Sequence, residues 1–135
     1  MMMSRKILML FFTCITVFAL SACGSHSNTY EKKAPVELKV ALKVPNNASV
    51  NEKVALQALV TQGKEKVKDA DDVKYQVWEG DNTNDSKFIK AKNDKNGNYS
   101  ASFVFDHAGT YQVQVHVEAR DQHVMPKTKI TVSEK

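Results

Sequence analysis

The chain has 135 residues, with 19 basic and 15 acidic side chains and a formal net charge of +4 at neutral pH. This length fits a single domain with a short targeting segment. Acidic and basic residues are interspersed along the chain, with no basic stripe and no ladder of aromatic residues, so we exclude a nucleic-acid partner.

The N-terminal 22 residues have the pattern of a lipoprotein signal peptide. Arg5 and Lys6 form a short positive region, and Ile7 to Leu20 form a 14-residue apolar run without charge. Such a run has the length of a signal sequence and is short for a transmembrane helix. The tetrapeptide Leu20-Ser21-Ala22-Cys23 is a lipobox. We therefore expect cleavage before Cys23 and lipidation of Cys23, with a plain signal peptide or a short membrane anchor as the alternative.

The predicted lipidation indicates where the mature protein is located and bears on what can stabilise its fold. Two or three acyl chains would hold the protein at the cell membrane, on its extracytoplasmic face. Loss of Arg5 and Lys6 with the signal lowers the formal charge from +4 to +2. Cys14 leaves with the signal and Cys23 would carry the lipid, so no disulfide is expected. Residues 23–35 are polar and unpatterned, which predicts a flexible stalk.

Residues 36–135 show alternation of apolar and polar residues, which indicates β-strands exposed on one face. No helical period occurs after the signal. The apolar residues recur in seven runs, at residues 36–44, 54–60, 73–77, 88–92, 99–105, 111–117 and 124–132. Seven short strands at this spacing predict an immunoglobulin-like antiparallel β-sandwich.

Three local signals refine this prediction. Asn96-Gly97 is a strong turn signal before the fifth strand. The segment from Asp106 to Tyr111 places a tyrosine after a tight turn at the start of the sixth strand, where immunoglobulin-like folds have a tyrosine corner. Trp78 is out of phase with the apolar residues of the third strand, so it is not assigned to the core.

No catalytic constellation is present in the sequence, and we expect a binding module and not an enzyme. A phosphate loop, a nucleophile elbow and a free mature cysteine are all missing. The acidic stretch from Lys68 to Asp72 lacks the glycine and the bidentate glutamate of a calcium loop, so a solvated turn is favoured. The polar stretch 93–98 is explained by hairpin chemistry.

The last two strands carry the one constellation with distinctive chemistry. If Arg120-Asp121 is the tip of a two-residue hairpin, cross-strand neighbours follow by counting outward from it. The predicted pairs are Ala119 with Gln122, Glu118 with His123, Val117 with Val124, and His116 with Met125. Opposite residues have Cβ atoms about 4.5–5.5 Å apart. Two imidazoles, a thioether and a carboxylate would then share the solvent face of the sheet.

This donor set predicts a metal site formed by His116, His123 and Met125, with Glu118 in support. Thioether and imidazole ligands suit copper, particularly Cu(I), whereas zinc would prefer the histidines and Glu118. Two alternatives remain open: ordinary polar residues on a wet face, and an apolar partner that docks on the same patch. His107 in a turn and His26 in the stalk are interpreted as ordinary polar residues.

The segment from Val36 to Val132 resembles the YtkA-like domain of small bacterial lipoproteins. The likeness is carried by Val73-Lys74-Tyr75-Gln76-Val77-Trp78, by Gly97-Asn98-Tyr99-Ser100-Ala101, and most strongly by Ala108 to Val117 with His123-Val124-Met125-Pro126. The resemblance implies a β-sandwich on the outer side of a membrane. The family is similar to FixH-type proteins, which are associated with cytochrome oxidase and copper delivery. Relatives often carry His and Met before the Phe88 strand, where this chain has Asp85-Ser86-Lys87.

Together these features predict a membrane-anchored extracytoplasmic lipoprotein that acts as a binding module. Its specific role would be copper binding or delivery linked to assembly of a respiratory membrane oxidase. The alternative is a metal-free interaction domain that docks a membrane protein through the same hairpin face, with Trp78 as a further contact.

Overall fold

A computed structural model describes residues 33–135 of the chain, of which residues 34–135 form one unit. The predicted signal peptide, the predicted lipidation site Cys23, the residue His26 and most of the predicted stalk lie outside the described residues. In the part described, no helix is long and apolar enough to cross a membrane.

Eleven strands and one turn of 3-10 helix make up the domain. They are β1 (Leu38–Lys43), β2 (Asn47–Ser49), β3 (Lys53–Gln62), β4 (Glu65–Lys66), β5 (Asp72–Glu79), the 3-10 turn (Thr83–Asp85), β6 (Lys87–Lys90), β7 (Lys92–Asn93), β8 (Asn98–Val104), β9 (Gly109–Ala119), β10 (Gln122–Val124) and β11 (Lys127–Ser133).

The strands form two sheets packed as an immunoglobulin-like sandwich, as predicted. The first sheet has the order β1-β3-β8-β7, with β4 added to β3. The second sheet has the order β2-β11-β9-β5-β6, with β10 paired to β9. All seven predicted strands are present, the fourth as β6 and β7 and the seventh as β10 and β11.

One strand pair departs from the antiparallel prediction. The sequence indicated that the first strand ends at Pro45, but Asn47–Ser49 form β2 and run parallel to β11. Pro45 lacks the N–H needed to continue a ladder, so the chain leaves β3 there. The carbonyl of Asn46 then accepts from the N–H of Thr131 at 2.9 Å, which begins the pairing with the second sheet.

The fourth predicted strand is likewise divided between the sheets. Residues Lys87–Lys90 pair with β5 in the second sheet, and Lys92–Asn93 pair with β8 in the first. The chain changes sheets at Ala91, whose N–H still donates to the carbonyl of Val73 at 2.9 Å. This crossing leaves Phe88 on the outer face of the second sheet, opposite Gln76.

The core lies between the two sheets and is formed by the residues that alternate with polar ones along β3, β5 and β9. The fully buried members of these strands are Leu56, Ala58, Val60, Tyr75, Val113, Val115 and Val117. Burial of these side chains, each contributing about 1.5–3 kcal/mol for a Val- or Leu-sized group, stabilises a domain for which no disulfide is predicted.

Tyrosine hydroxyls make hydrogen bonds to backbone groups of other segments around the core. The hydroxyl of Tyr75 in the second sheet donates to the carbonyl of Tyr99 in the first, at 2.7 Å. The hydroxyl of Tyr99 donates to the carbonyl of Val67 and accepts from the N–H of Ala70. Tyr111 donates to the carbonyl of His107 at 2.9 Å, which is the predicted tyrosine corner.

The substitution Tyr75→Phe is expected to lower the free energy of unfolding by about 1–3 kcal/mol, because it leaves the buried carbonyl of Tyr99 without its partner. Tyr111→Phe serves as the comparison: its hydrogen bond is only part-buried, so water can replace the lost hydroxyl and the loss should be smaller. Urea denaturation of the two variants measures both losses. Equal losses would contradict the role given to the cross-sheet bond.

Candidate functional site

The tip of the β9–β10 hairpin has the geometry predicted from sequence. Arg120 and Asp121 have φ angles of 51° and 60°, both in the left-handed region that a two-residue hairpin turn requires. The turn sets the pairs Ala119 with Gln122, Glu118 with His123, and Val117 with Val124. The predicted register of this ribbon is therefore confirmed.

Arg120 attaches this tip to the first sheet. Its guanidinium donates to the side-chain oxygens of Gln62 at 2.8 Å and Glu65 at 2.7 Å, and Asp69 lies 3.5 Å away. Hydrogen bonding to Arg120 lowers the pKa of Glu65. The acidic stretch thus makes ion pairs, since Asp72 also lies 3.4 Å from Lys74. This agrees with a solvated turn.

The register of the hairpin continues past Met125 and Pro126. Val124 pairs with Val117, and three residues later Lys127 pairs with Gln114, so the offset between the strands is unchanged. The carbonyl of Pro126 accepts from the N–H of Val115 at 3.1 Å. The same ladder positions Met125 directly across from His116, as the sequence predicts.

The predicted site residues share the outer face of the second sheet. His123 and Glu118 are exposed, Met125 is 47% exposed and His116 is half-buried. The ring centroids of His116 and His123 are 5.9 Å apart, with an angle of 35° between the ring planes. The intervening residue Val117 is fully buried, which confirms the alternation on which the predicted face depends.

His116 is the member of the group that the protein holds most firmly. Its Nε2 lies 2.8 Å from Oε1 of Gln76, and its ring centroid lies 6.1 Å from that of Phe88. Burial lowers the pKa of His116, and the nearby charges of His123 and Lys74 lower it further. The neutral imidazole is therefore favoured, and this is the form that binds metals.

A metal site here depends on the sulfur of Met125. Within residues 33–135, no group of three or more His, Cys, Asp or Glu side chains is arranged to hold a metal ion. His123 and Glu118 line a shallow depression of about 350 Å³ together with Asp71 and Asp121. These carboxylates add negative charge beside His123. The structure thus brings the imidazoles of His116 and His123 together, as the sequence predicts. Met125 lies across the ladder from His116.

Gln76 and Phe88 belong to this site but are not predicted from the sequence. Gln76 lies on β5 and Phe88 lies on β6, about 30 to 40 residues before His116. They come close to His116 because β5 pairs with β9 on one side and with β6 on the other. Their polar-face position could be read from alternation. Their contact with His116 could not be predicted from alternation, because it depends on the register between distant strands.

Trp78 occupies the same face but is unavailable to a partner. It is only 6% exposed and pairs with the buried Gln112, with Nζ of Lys127 5.9 Å from the ring centroid. The alternation left Trp78 unassigned to the core, but the side chain is buried, next to the central cluster and not within it. Its burial contradicts the use of Trp78 as a docking contact.

A second cluster surrounds His107, which the sequence interpretation treated as an ordinary polar residue. Its Nε2 lies 2.8 Å from Glu79 and its Nδ1 lies 2.6 Å from Asp106. Hydrogen bonding to Glu79 and to Asp106 raises the pKa of His107, and the bond to His107 lowers that of Asp106. His107 therefore joins the end of β5 to the turn before β9.

This cluster borders a cleft of about 750 Å³, whose apolar wall includes Phe103, Phe105 and Tyr111. The cleft lies at the far end of β9 from the hairpin tip. Both ring nitrogens of His107 are already bonded to carboxylates, so this histidine has no free nitrogen for a metal or a ligand. We therefore assign the candidate site to the hairpin face and not to this cleft.

Solved structures share the fold at low sequence identity. The filamin domain of Lin-41 is 10% identical, with a TM-score of 0.52 over 74% of this chain and 98% of that domain. The superoxide reductase neelaredoxin from Ignicoccus hospitalis is 8% identical, with a TM-score of 0.50 over 75% of this chain and 85% of the reductase. These similarities show the fold alone.

An engineered protein gives a TM-score of 0.58 at 14% identity over 74% of this chain, and this chain spans only 21% of its length. No curated protein matches the sequence. The family model for YtkA-like domains matches residues 32–116. Because that match ends at His116, the predicted extension of the likeness through His123 and Met125 to Val132 is not supported by it.

The ion pairs of His107 predict a pH-dependent stability. Because the folded-state pKa of His107 is raised above 6.5, protonated His107 stabilises the fold fully below about pH 6.5. That stabilisation is lost as the pH rises through the raised value. Wild type should therefore exceed His107→Gln in melting temperature at pH 6 and at low salt, and the difference should shrink towards pH 9. A difference independent of pH would contradict the assignment.

Proposed function

The chain belongs to the YtkA-like family, and we propose that it is a membrane-anchored binding module that carries copper outside the cytoplasm. His116, His123 and Met125 are the proposed ligands, with Glu118 adding negative charge. One observation carries the proposal: the hairpin register brings the two imidazole rings to 5.9 Å and sets Met125 across from His116.

The separation of the rings is compatible with a shared ion. A metal-bound imidazole nitrogen lies about 2.0 Å from the metal, so each ring centroid lies about 3 Å from it. Two such rings on one ion have centroids up to about 6 Å apart. The observed 5.9 Å therefore requires rotation of side chains but no change of strand register.

The donor types favour copper in its reduced state. Thioether sulfur is a soft ligand that selects Cu(I), and imidazole suits both copper and zinc. Met125 is 47% exposed, so its sulfur can reach an ion without opening the core. Zinc would gain little from the sulfur, and within the described residues no third His, Cys, Asp or Glu side chain is arranged with the two histidines to hold it.

The proposed location derives from the N-terminal sequence. Arg5, Lys6 and the apolar run before Cys23 support export, and the lipobox supports a lipid anchor at Cys23. A copper carrier held at the outer face of a membrane would serve a membrane-bound acceptor, and a respiratory oxidase under assembly is the acceptor we propose.

A second function is favoured by the exposure of apolar side chains on the same face. Phe88 is 59% exposed and Met125 is 47% exposed, and the pairing of strands sets both on the side of the sheet that carries His116. Exposed apolar residues grouped on one face are a common feature of protein interaction sites. In this alternative the face docks a membrane protein without metal.

Titration of the mature lipoprotein, which begins at the lipidated Cys23, with Cu(I) in detergent and against a competing chelator tests the first function. We expect one saturable site with Kd on the order of micromolar or tighter. Met125→Leu keeps the apolar shape and removes the sulfur, so it should weaken binding by about tenfold or more. His123→Ala should also weaken it.

The matched control is His107→Gln, which removes a histidine from the same domain but at the far end of β9. Its Cu(I) affinity should equal that of wild type. Absence of a saturable site, or equal affinity in wild type, Met125→Leu and His123→Ala, would contradict copper binding at this face and leave the interaction function.

A further inference from the structure

A directed chain of hydrogen bonds runs from His116 into the loop between β5 and β6. Nε2 of His116 lies 2.8 Å from Oε1 of Gln76. Nε2 of Gln76 donates to Oγ of Ser86 at 2.9 Å, and the Ser86 hydroxyl donates to the carbonyl oxygen of Thr83. The chain thus joins a proposed ligand to a backbone group.

The last acceptor in this chain determines the direction of every bond before it. A backbone carbonyl only accepts, so the single hydroxyl proton of Ser86 is directed at Thr83. Oγ of Ser86 must then accept from the amide NH₂ group of Gln76. This orientation turns Oε1 of Gln76 towards His116, and an oxygen acceptor requires a proton on the facing ring nitrogen.

Neutral His116 therefore carries its proton on Nε2 and has its lone pair on Nδ1. We propose that Gln76 is a positioning residue that selects Nδ1 of His116 as the atom that binds the metal. This inference deepens the proposed copper function and depends on it for the binding step. The tautomer itself is a property of the metal-free protein.

The loop that ends this chain is itself well fixed. The side chain of Asn82 accepts from the N–H of Asn84 at 3.0 Å, which caps the 3-10 turn. The N–H of Ser86 donates to the same Thr83 carbonyl at 3.2 Å, which closes the turn. The turn therefore holds Ser86 in place and, through it, the amide of Gln76.

Such support is what ligand histidines need. A metal-binding imidazole usually donates its second N–H to a protein acceptor, which fixes the tautomer and the ring orientation before the metal arrives. Gln76 on β5 supplies this support to His116 on β9, and Ser86, which directly precedes β6, supports Gln76 in turn.

Long-range ¹H–¹⁵N correlation spectra of the ¹⁵N-labelled, metal-free mature lipoprotein in detergent test the tautomer. At mildly alkaline pH, we expect a protonated, pyrrole-type Nε2 and an unprotonated, pyridine-type Nδ1 for His116. Gln76→Leu should give a mixture of tautomers, whereas Gln76→Glu keeps an acceptor and should retain the proton on Nε2 in the neutral ring. Gln57→Leu, on the exposed face of the other sheet, should match wild type.

Addition of Cu(I) to the same samples tests the binding step. The Nδ1 resonance of His116 should shift, and Gln76→Leu should bind about 10–100-fold more weakly than wild type. A wild-type ring protonated on Nδ1, an unchanged tautomer in Gln76→Leu, or binding through Nε2 would overturn the inference. If the tautomer is as expected but Cu(I) does not bind wild type, the proposed function fails and the ligand assignment fails with it.

Discussion

The two-residue turn at Arg120 and Asp121 is the constraint on which the candidate site depends. Its left-handed residues reverse the chain so that β9 and β10 pair with one fixed offset, and this offset persists to Lys127 and Gln114. In a sheet, a shift of one residue would turn every side chain of the moved strand to the opposite face. The hydrogen bonds of Arg120 to β3 and β4 resist such a shift, because the tip is attached to the other sheet.

Two histidines in this domain show how neighbouring groups decide what an imidazole can do. His107 lies between two carboxylates, which raise its pKa and favour the charged ring as a structural link. His116 meets a neutral amide instead and is half-buried, and its pKa is lowered. A carboxylate acceptor stabilises the protonated ring through its negative charge. A neutral amide acceptor orients the ring without adding that charge. Of these two rings, His116 is therefore the one for which the neutral form is favoured.

Much of the fold and part of the site could be predicted from sequence because they depend on local periodicity. Alternation along β9 places Val117 on the inner face of the sheet and His116 and Glu118 on the outer face. Counting outward from the two-residue turn gives their partners on the facing strand. The contacts missed were those between distant segments. The parallel pairing of β2 with β11, the bond of His107 to Glu79 and the bond of Gln76 to His116 each require a register or crossing that no local pattern encodes. The burial of Trp78 was missed for the same reason, since it depends on neighbours from β9 and β11.

Copper K-edge X-ray absorption of the Cu(I)-loaded mature lipoprotein, which begins at the lipidated Cys23, measures the coordination shell directly. The account predicts two nitrogen scatterers at about 2.0 Å, as expected for imidazole, and one sulfur scatterer that disappears in Met125→Leu. A shell of nitrogen and oxygen alone in the wild-type protein, or a sulfur contribution that persists without Met125, would contradict the claim that this ribbon presents two imidazoles and a thioether to one ion.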